Sequence, residues 1–275
     1  MPELPEVEVS RQGLLPHLCG QRILTAVVRT PRLRNEIPAD LAARVAGLRL
    51  QTIARRGKYL LFDCENRSGG GWLILHLGMS GSLRLVEPGV PAGRHDHFDL
   101  VFADTVLRLR DPRRFGVLSW HEGSEVEGHP LLAVLGVEPL SATFSGDWLY
   151  AATRRRRAPI KPVLMDAHLL VGVGNIYAAE SLFRAGISPL RGADRISIAR
   201  YRILVAAIRS TLEAAIAAGG SSVRDYVHSD GGAGCFQLAC AVYDRQGAPC
   251  PNCSAPVRSI RQAGRSTYYC PRCQR

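Results

Sequence analysis

Apolar and polar positions change rhythm twice along this chain. From Val7 to Leu18 apolar residues recur at helical spacing, interrupted by Gly13 and Pro16. From residue 21 to about 120 the pattern shortens into strand-like runs. Trp72-Leu73-Ile74-Leu75-His76-Leu77 and Phe98-Asp99-Leu100-Val101-Phe102 are two of them. Val106 to Arg110 largely alternates, and it pairs with the second run across Ala103-Asp104-Thr105. Many short runs punctuated by Gly, Pro and Asp predict a β-sandwich or barrel rather than βαβ units. Beyond about residue 130 the rhythm is helical. Ser197 is placed to cap a long helix, Ile198 to Ala218, closed by Gly219-Gly220. Residues 221–237, with Gly231, Gly232 and Gly234, read as a flexible loop leading to a cysteine-rich tail. No internal repeat or low-complexity tract is present, and the whole reads as an α+β chain.

Composition narrows the class. The 275 residues include 46% hydrophobic positions, enough for a sizeable core and for about two domains. No apolar run approaches the roughly 20 residues of a membrane-spanning helix. Met1-Pro2-Glu3-Leu4-Pro5-Glu6 is acidic and proline-rich, unlike a secretory signal, so a soluble intracellular protein is expected. Lys and Arg total 35 against 24 Asp and Glu, a net charge of +11, and all but two of the cations are arginine. The arginines cluster at Arg113-Arg114, at Arg154 to Arg157, and from Arg245 to the C-terminus, which fits a polyanion such as nucleic acid. The exceptions, Lys58 and Lys161, are candidates for chemistry or close phosphate contact, because lysine can lose its proton where arginine cannot.

Two local patterns carry chemistry. Cys250-x2-Cys253-x16-Cys270-x2-Cys273 has the spacing of a four-thiolate zinc site. Ser259-Ile260 and Thr267-Tyr268-Tyr269 read as a hairpin between its knuckles, and so short a tail needs a staple to fold, one structural zinc or, as the competing reading, disulfides. Cys19, Cys64, Cys235 and Cys240 are scattered and expected to be reduced. Gly172-Val173-Gly174-Asn175 before a helix suits either a phosphate-binding turn or a tight interhelical turn.

A set of stretches in order resembles the bacterial formamidopyrimidine-DNA glycosylase family. They are Pro2-Glu3-Leu4-Pro5-Glu6-Val7-Glu8, Gly57-Lys58-Tyr59-Leu60-Leu61, His76 to Gly81, His95-Asp96-His97, Asp111 to Gly116, Ile160-Lys161-Pro162, Gly172 to Ala178, and the four-cysteine finger. The resemblance implies an N-terminal catalytic β-sandwich domain (1–130), a helix–two-turn–helix domain with a lesion loop (131–237) and a zinc finger (238–275). It implies excision of oxidised purines, 8-oxoguanine and formamidopyrimidines, from duplex DNA, followed by β,δ-elimination, by a cytoplasmic monomer. Pro2, exposed once Met1 is removed, would be the Schiff-base nucleophile, and Glu3, supported by Glu6, the acid for ring opening and base departure. Lys58 would serve β-elimination and Arg265 δ-elimination.

In the same way Met79, Arg113 and Phe115 resemble the trio that fills the gap left by a flipped nucleotide, with Arg113 preferring cytosine opposite the lesion. Without the motif, Met79 and Phe115 would be taken for core. His95, Arg157, Lys161, Asn175 and Tyr177 resemble backbone ligands, and Ser221, Ser222 and Arg224 fall where the lesion is covered. Cys235, where the family pattern has an aromatic or other bulky residue, and Asp244, where it more usually has glycine, depart from that pattern, which bears on fine lesion preference. An endonuclease VIII-like glycosylase for oxidised pyrimidines and a catalytically silent zinc-ribbon DNA-binding protein are the competing readings.

Overall fold

A computed structural model describes residues 1–67, 69–220 and 240–275. In chain order the first part comprises α1 (Leu4–Leu18), β1 (Thr25–Val28), α2 (Leu41–Val45), β2 (Arg49–Arg56), β3 (Tyr59–Asn66), β4 (Gly69–His76), β5 (Ser82–Val86), β6 (Asp96–Val101), β7 (Val106–Arg110), β8 (Val117–Glu122) and α3 (Pro130–Ala133). Then follow α4 (Gly146–Thr153), α5 (Ile160–Leu164), α6 (Asn175–Arg184), α7 (Ile198–Ala217), β9 (Arg258–Gln262) and β10 (Arg265–Tyr269).

The eight early strands form two antiparallel four-stranded sheets, ordered β1-β6-β7-β5 and β2-β3-β4-β8. Alternation sets the inward face: Leu60, Phe62 and Cys64 of β3 and Leu73 and Leu75 of β4 are fully buried. They share one core with Phe98, Leu100, Leu107 and Leu109 of the other sheet and with Val7, Leu14 and Leu18 of α1. This is the expected sandwich, and β6 pairs with β7 through Val101 and Val106 as the pattern predicted. Helix α1 starts earlier than expected, at Leu4. Glu3 and Glu6 form a capping box, and Pro5 fits the first turn, where a missing N–H costs nothing.

The chain divides into two compact units, one of Met1–Ala133 with the stretch beginning at Ala218, the other of Val134–Ala217 with the chain's end. The finger packs within the second unit. Ala179 and Phe183 of α6 share a core with Val242, Cys250, Val257 and Cys270. Buried Glu180 accepts the N–H groups of Ala241, Val242 and Tyr243 at 2.9–3.0 Å. Helix α7 ends where expected, at paired left-handed glycines, Gly219 and Gly220. The β9–β10 hairpin turns at Ala263 and Gly264, both at positive φ, as a two-residue turn requires. Asp244 also lies in the left-handed region, at φ +57°, and its Oδ1 accepts the Tyr268 hydroxyl at 3.2 Å.

Helix α1 is tied to the second sheet by Glu8, whose carboxylate accepts Arg11 at 2.6 Å and Arg55 of β2 at 2.9 Å. Burial raises the Glu8 pKa, but the hydrogen bonds from Arg11, Arg55 and Gln12, with the Arg11 charge, together outweigh it and hold the group below its ordinary 4.5. A lowered carboxylate pKa stabilises the fold above the unfolded value and loses that contribution as pH falls through the folded one. Glu8→Gln should therefore lose about 1–3 kcal/mol at pH 7 and show a flatter loss of stability below about pH 4.5, in urea titrations across pH.

Candidate functional site

The first unit gathers its chemistry at the start of α1. Pro2 and Glu3 are buried immediately before the first turn, and the Glu3 N–H donates to Glu6 Oε2 at 2.7 Å. Gly220, at φ +80°, comes close to Glu6: a Cβ there would lie 3.3 Å from Oε1. Lys58 occupies the two-residue turn between β2 and β3, made possible by Gly57 at φ +58°. The same Arg55 that binds Glu8 donates to the Gly57 carbonyl at 3.1 Å, so one guanidinium fixes the lysine turn to the helix that positions Pro2.

Sequence reasoning did not single out His76 as a separate actor. Its ring packs 4.8 Å from Tyr59, and Nδ1 accepts the Gly78 N–H at 2.9 Å. Burial, then the charges of Lys58 and Arg34, push its pKa down to about 4, so a neutral imidazole stands in the field of the Lys58 ammonium. The motif spanning His76 to Gly81 contained the residue; its proximity to Lys58 required the β3–β4 pairing of Tyr59 with His76.

Met79 and Phe115 are not core residues: they are 39% and 42% exposed. The Arg113 guanidinium lies 4.8 Å from the Phe115 ring centroid, a cation–π contact that leaves both at the surface. Their loops touch through backbone. Gly78, at φ +64°, has no room for a Cβ, which would fall 2.3 Å from the Phe115 carbonyl carbon. His95, at the edge of β6, lines a cavity of about 460 Å³ with Arg84, Arg94 and Arg110.

In the second unit the expected phosphate ligands separate into two groups. Lys161 and Tyr177 are both buried, whereas Asn175 stands at the start of α6. The Lys161 ammonium donates to Asn175 Oδ1 at 2.5 Å, Thr267 Oγ1 at 2.8 Å and the Ser266 carbonyl at 3.2 Å. The Asn175 amide also donates to the Ser266 carbonyl, at 3.1 Å. Lys161 thus draws the start of α6 to the finger hairpin and brings Asn175 close to the exposed Arg265. The arginine run separates similarly: Arg155 and Arg157 are exposed, whereas Arg156 pairs with Asp166 at 2.6 Å. Arg154 stacks on Tyr150 and caps the carbonyls of Ala193, Asp194 and Ile196.

The sulfurs of Cys250, Cys253, Cys270 and Cys273 all lie within 4.8 Å of one another, with Cys250–Cys273 at 3.8 Å and Cys253–Cys270 at 3.5 Å. A zinc tetrathiolate with bonds of about 2.3 Å has edges of about 3.8 Å, so the set fits one structural zinc. Ser221, Ser222, Arg224 and Cys235 lie outside the described residues.

The chain matches three family models: the formamidopyrimidine-DNA glycosylase N-terminal domain over residues 1–118, its H2TH domain over 135–227, and the zinc finger found in FPG and IleRS over 247–275. It is 63% identical to the formamidopyrimidine-DNA glycosylase of Dechloromonas aromatica and 54% to that of Acidithiobacillus ferrooxidans, each over the full length of both chains. Among solved structures, the MutM (Fpg) protein of Thermus thermophilus aligns with a TM-score of 0.89 at 40% identity, covering 99% of this chain and 98% of the other. A Lactococcus lactis Fpg mutant bound to Fapy-dG-containing DNA aligns with a TM-score of 0.92 at 34% identity, covering 99% of each.

Because the thiolate cluster shares a core with α6, metal loss should reach beyond the hairpin. Elemental analysis should find one zinc per chain, and Cys253→Ser should lose it, expose the tail to protease and weaken duplex binding. Well under one equivalent in the purified protein would count against the site.

Proposed function

The chain belongs to the formamidopyrimidine-DNA glycosylase family, and from that premise we propose how its own residues divide the work. It is a base-excision repair enzyme, a glycosylase and abasic-site lyase acting on oxidised purines in DNA. It acts as a monomer in the cytoplasm. Among the described residues no helix is long and apolar enough to cross a membrane.

A base inside a duplex is out of reach until its nucleotide is extruded. Phe115 wedges the stack, Met79 fills the vacated space, and Arg113 hydrogen-bonds the base left without a partner. Their exposure, so unlike core packing, supports this role. Removal of Met1 frees the Pro2 secondary amine. Its nitrogen forms a bond to the sugar C1′, and the glycosidic bond breaks with its electron pair leaving on the base. Glu3 supplies the proton that opens the sugar ring and assists the base's departure. The resulting iminium acidifies C2′–H. Lys58, having first given up its own proton, takes the C2′ proton as a neutral amine while the C3′–O3′ bond breaks, and Arg265 serves the second elimination, at C5′. The observation that carries the assignment is the placement of Pro2 and Lys58 by one helix: the capping box sets the first, and the Glu8–Arg55–Gly57 chain sets the second.

Backbone contacts fall to His95, Arg157 and Asn175. Lys161 and Tyr177 belong to the same set, and Lys161 also holds Asn175 to the hairpin. Damaged double-stranded DNA is the partner, bound largely through arginine and so with strong salt dependence.

Borohydride should trap enzyme and lesion duplex covalently through the N-terminal peptide. A variant with an uncleavable extension before Pro2 turns the amine into an amide and should give neither trapping nor base release; full activity would sink the Pro2 assignment. Arg113→Ala should lower the preference for cytosine over adenine opposite the lesion by about 1–3 kcal/mol, read as the ratio of kcat/KM values. Assays with purine and pyrimidine lesions side by side separate the endonuclease VIII-like reading.

A further inference from the structure

One buried carboxylate underlies three of the segments assigned above to the duplex. Asp111 has no exposed surface. Its Oδ1 accepts the Ser80 hydroxyl at 2.9 Å and the Arg113 N–H at 3.3 Å, and its Oδ2 accepts the Gly116 N–H at 2.8 Å. The backbone of the same residue is equally engaged. Its N–H donates to the His95 carbonyl at 2.9 Å, and its carbonyl accepts His97 Nε2 at 3.0 Å and the Arg114 N–H at 3.2 Å. One side chain thereby joins the turn carrying Met79 to the turn carrying Arg113 and Phe115, and its main chain joins both to the segment carrying His95.

The turn it holds is not one the chain would adopt unaided. Arg114, between Arg113 and Phe115, sits at φ +54°, a conformation that a long side chain keeps only when its surroundings over-determine it. Asp111 supplies that determination on both sides, through the N–H groups of Arg113 and Gly116. It grips Arg113 by the backbone, so the guanidinium stays over the Phe115 ring. Gly78 and Gly116 close the remaining gap: a Cβ on Gly116 would lie 3.1 Å from Asp111 Oδ2.

We propose that Asp111 is a positioning residue that makes Met79, Arg113 and Phe115 one prebuilt wedge, so that the gap is filled by a rigid body rather than by three separately ordered side chains. The inference rests on the gap-filling role given to those three residues. Preorganisation is where such a group gains rate, because ordering is completed before the duplex is opened. A carboxylate suits the task because both of its oxygens accept. An amide there would turn an N–H toward the donors that face one of the two oxygens.

The test is Asp111→Asn in the full-length zinc-loaded protein, with folding checked by circular dichroism and zinc content. Base release from 8-oxoguanine opposite cytosine should fall by about a hundredfold. The cytosine-over-adenine ratio should collapse toward that of Arg113→Ala. Nicking and borohydride trapping of a single-stranded oligonucleotide carrying a ready-made abasic site, which has no stack to wedge and no opposite base to read, should stay at the wild-type level. If the asparagine variant does not fold, Ser80→Ala, which removes one donor, should move the same two duplex readouts by about three- to tenfold. A folded variant with wild-type excision and discrimination would overturn the proposal. So would an equal loss of activity on the single-stranded abasic substrate, because that is the signature of a general defect. A wild-type protein that releases no oxidised purine would instead overturn the function proposed above.

Discussion

Glu6 is a carboxylate without access to water, and the Glu3 N–H that it accepts fixes where the first helix begins. A buried charge is costly unless its oxygens are satisfied, so the backbone at Glu3 has little freedom. The helix must start at Leu4, and Pro2 must lie just outside it. The end of the first unit proposed to be catalytic is measured from that point. Glu8, about one turn beyond the helix start, anchors Arg55, and Arg55 reaches the turn that presents Lys58. Two amines of different chemistry are thus set by one helix and one guanidinium.

Arginine dominates the cations of this chain, and the structure gives it two occupations. Some arginines face solvent, as Arg113, Arg157 and Arg265 do. Others are internal brackets. Arg154 gathers three carbonyls beneath α4 while stacking on Tyr150. Arg108, buried, binds both oxygens of Asp99 and the carbonyls of Val90 and Pro91. Arg209 joins the carbonyls of Leu140, Ser141 and Phe144. Such bracing needs a planar fork with donors pointing several ways, which an ammonium lacks. Net charge therefore overstates the surface left for a polyanion, and the Arg154–Arg157 run contributes two exposed guanidinium groups rather than four.

The elements legible in the sequence were those with short-range causes. The alternating runs gave the β6–β7 hairpin, Ser197 and Gly219-Gly220 bounded the long helix, and cysteine spacing located the metal cluster. The ordered motifs singled out Pro2, Lys58, Met79, Arg113 and Phe115. What stayed hidden depends on partners distant in the chain. Lys161 reads as a surface cation until Thr267 and Ser266 are brought to it. Glu180 gives no sign that it will hold three N–H groups some sixty residues away. Asp111 looks like an ordinary turn aspartate, since neither Ser80 nor His95 is near it in sequence. The finger's packing against α6 is of the same kind, because a segment with its own metal pattern looks self-contained.

Asp244 shows how such distance can mislead in the other direction. As a departure from the family pattern it drew attention as a possible change at the lesion site, yet what distinguishes the position is a left-handed backbone. Glycine meets that demand by lacking a Cβ, and aspartate meets it with a short polar chain, here held by the Tyr268 hydroxyl. The two residues are alternative spellings of one turn. Divergence at such a site can drift without altering what the enzyme recognises, and tallying it among functional differences would overstate how far this chain has moved from its relatives.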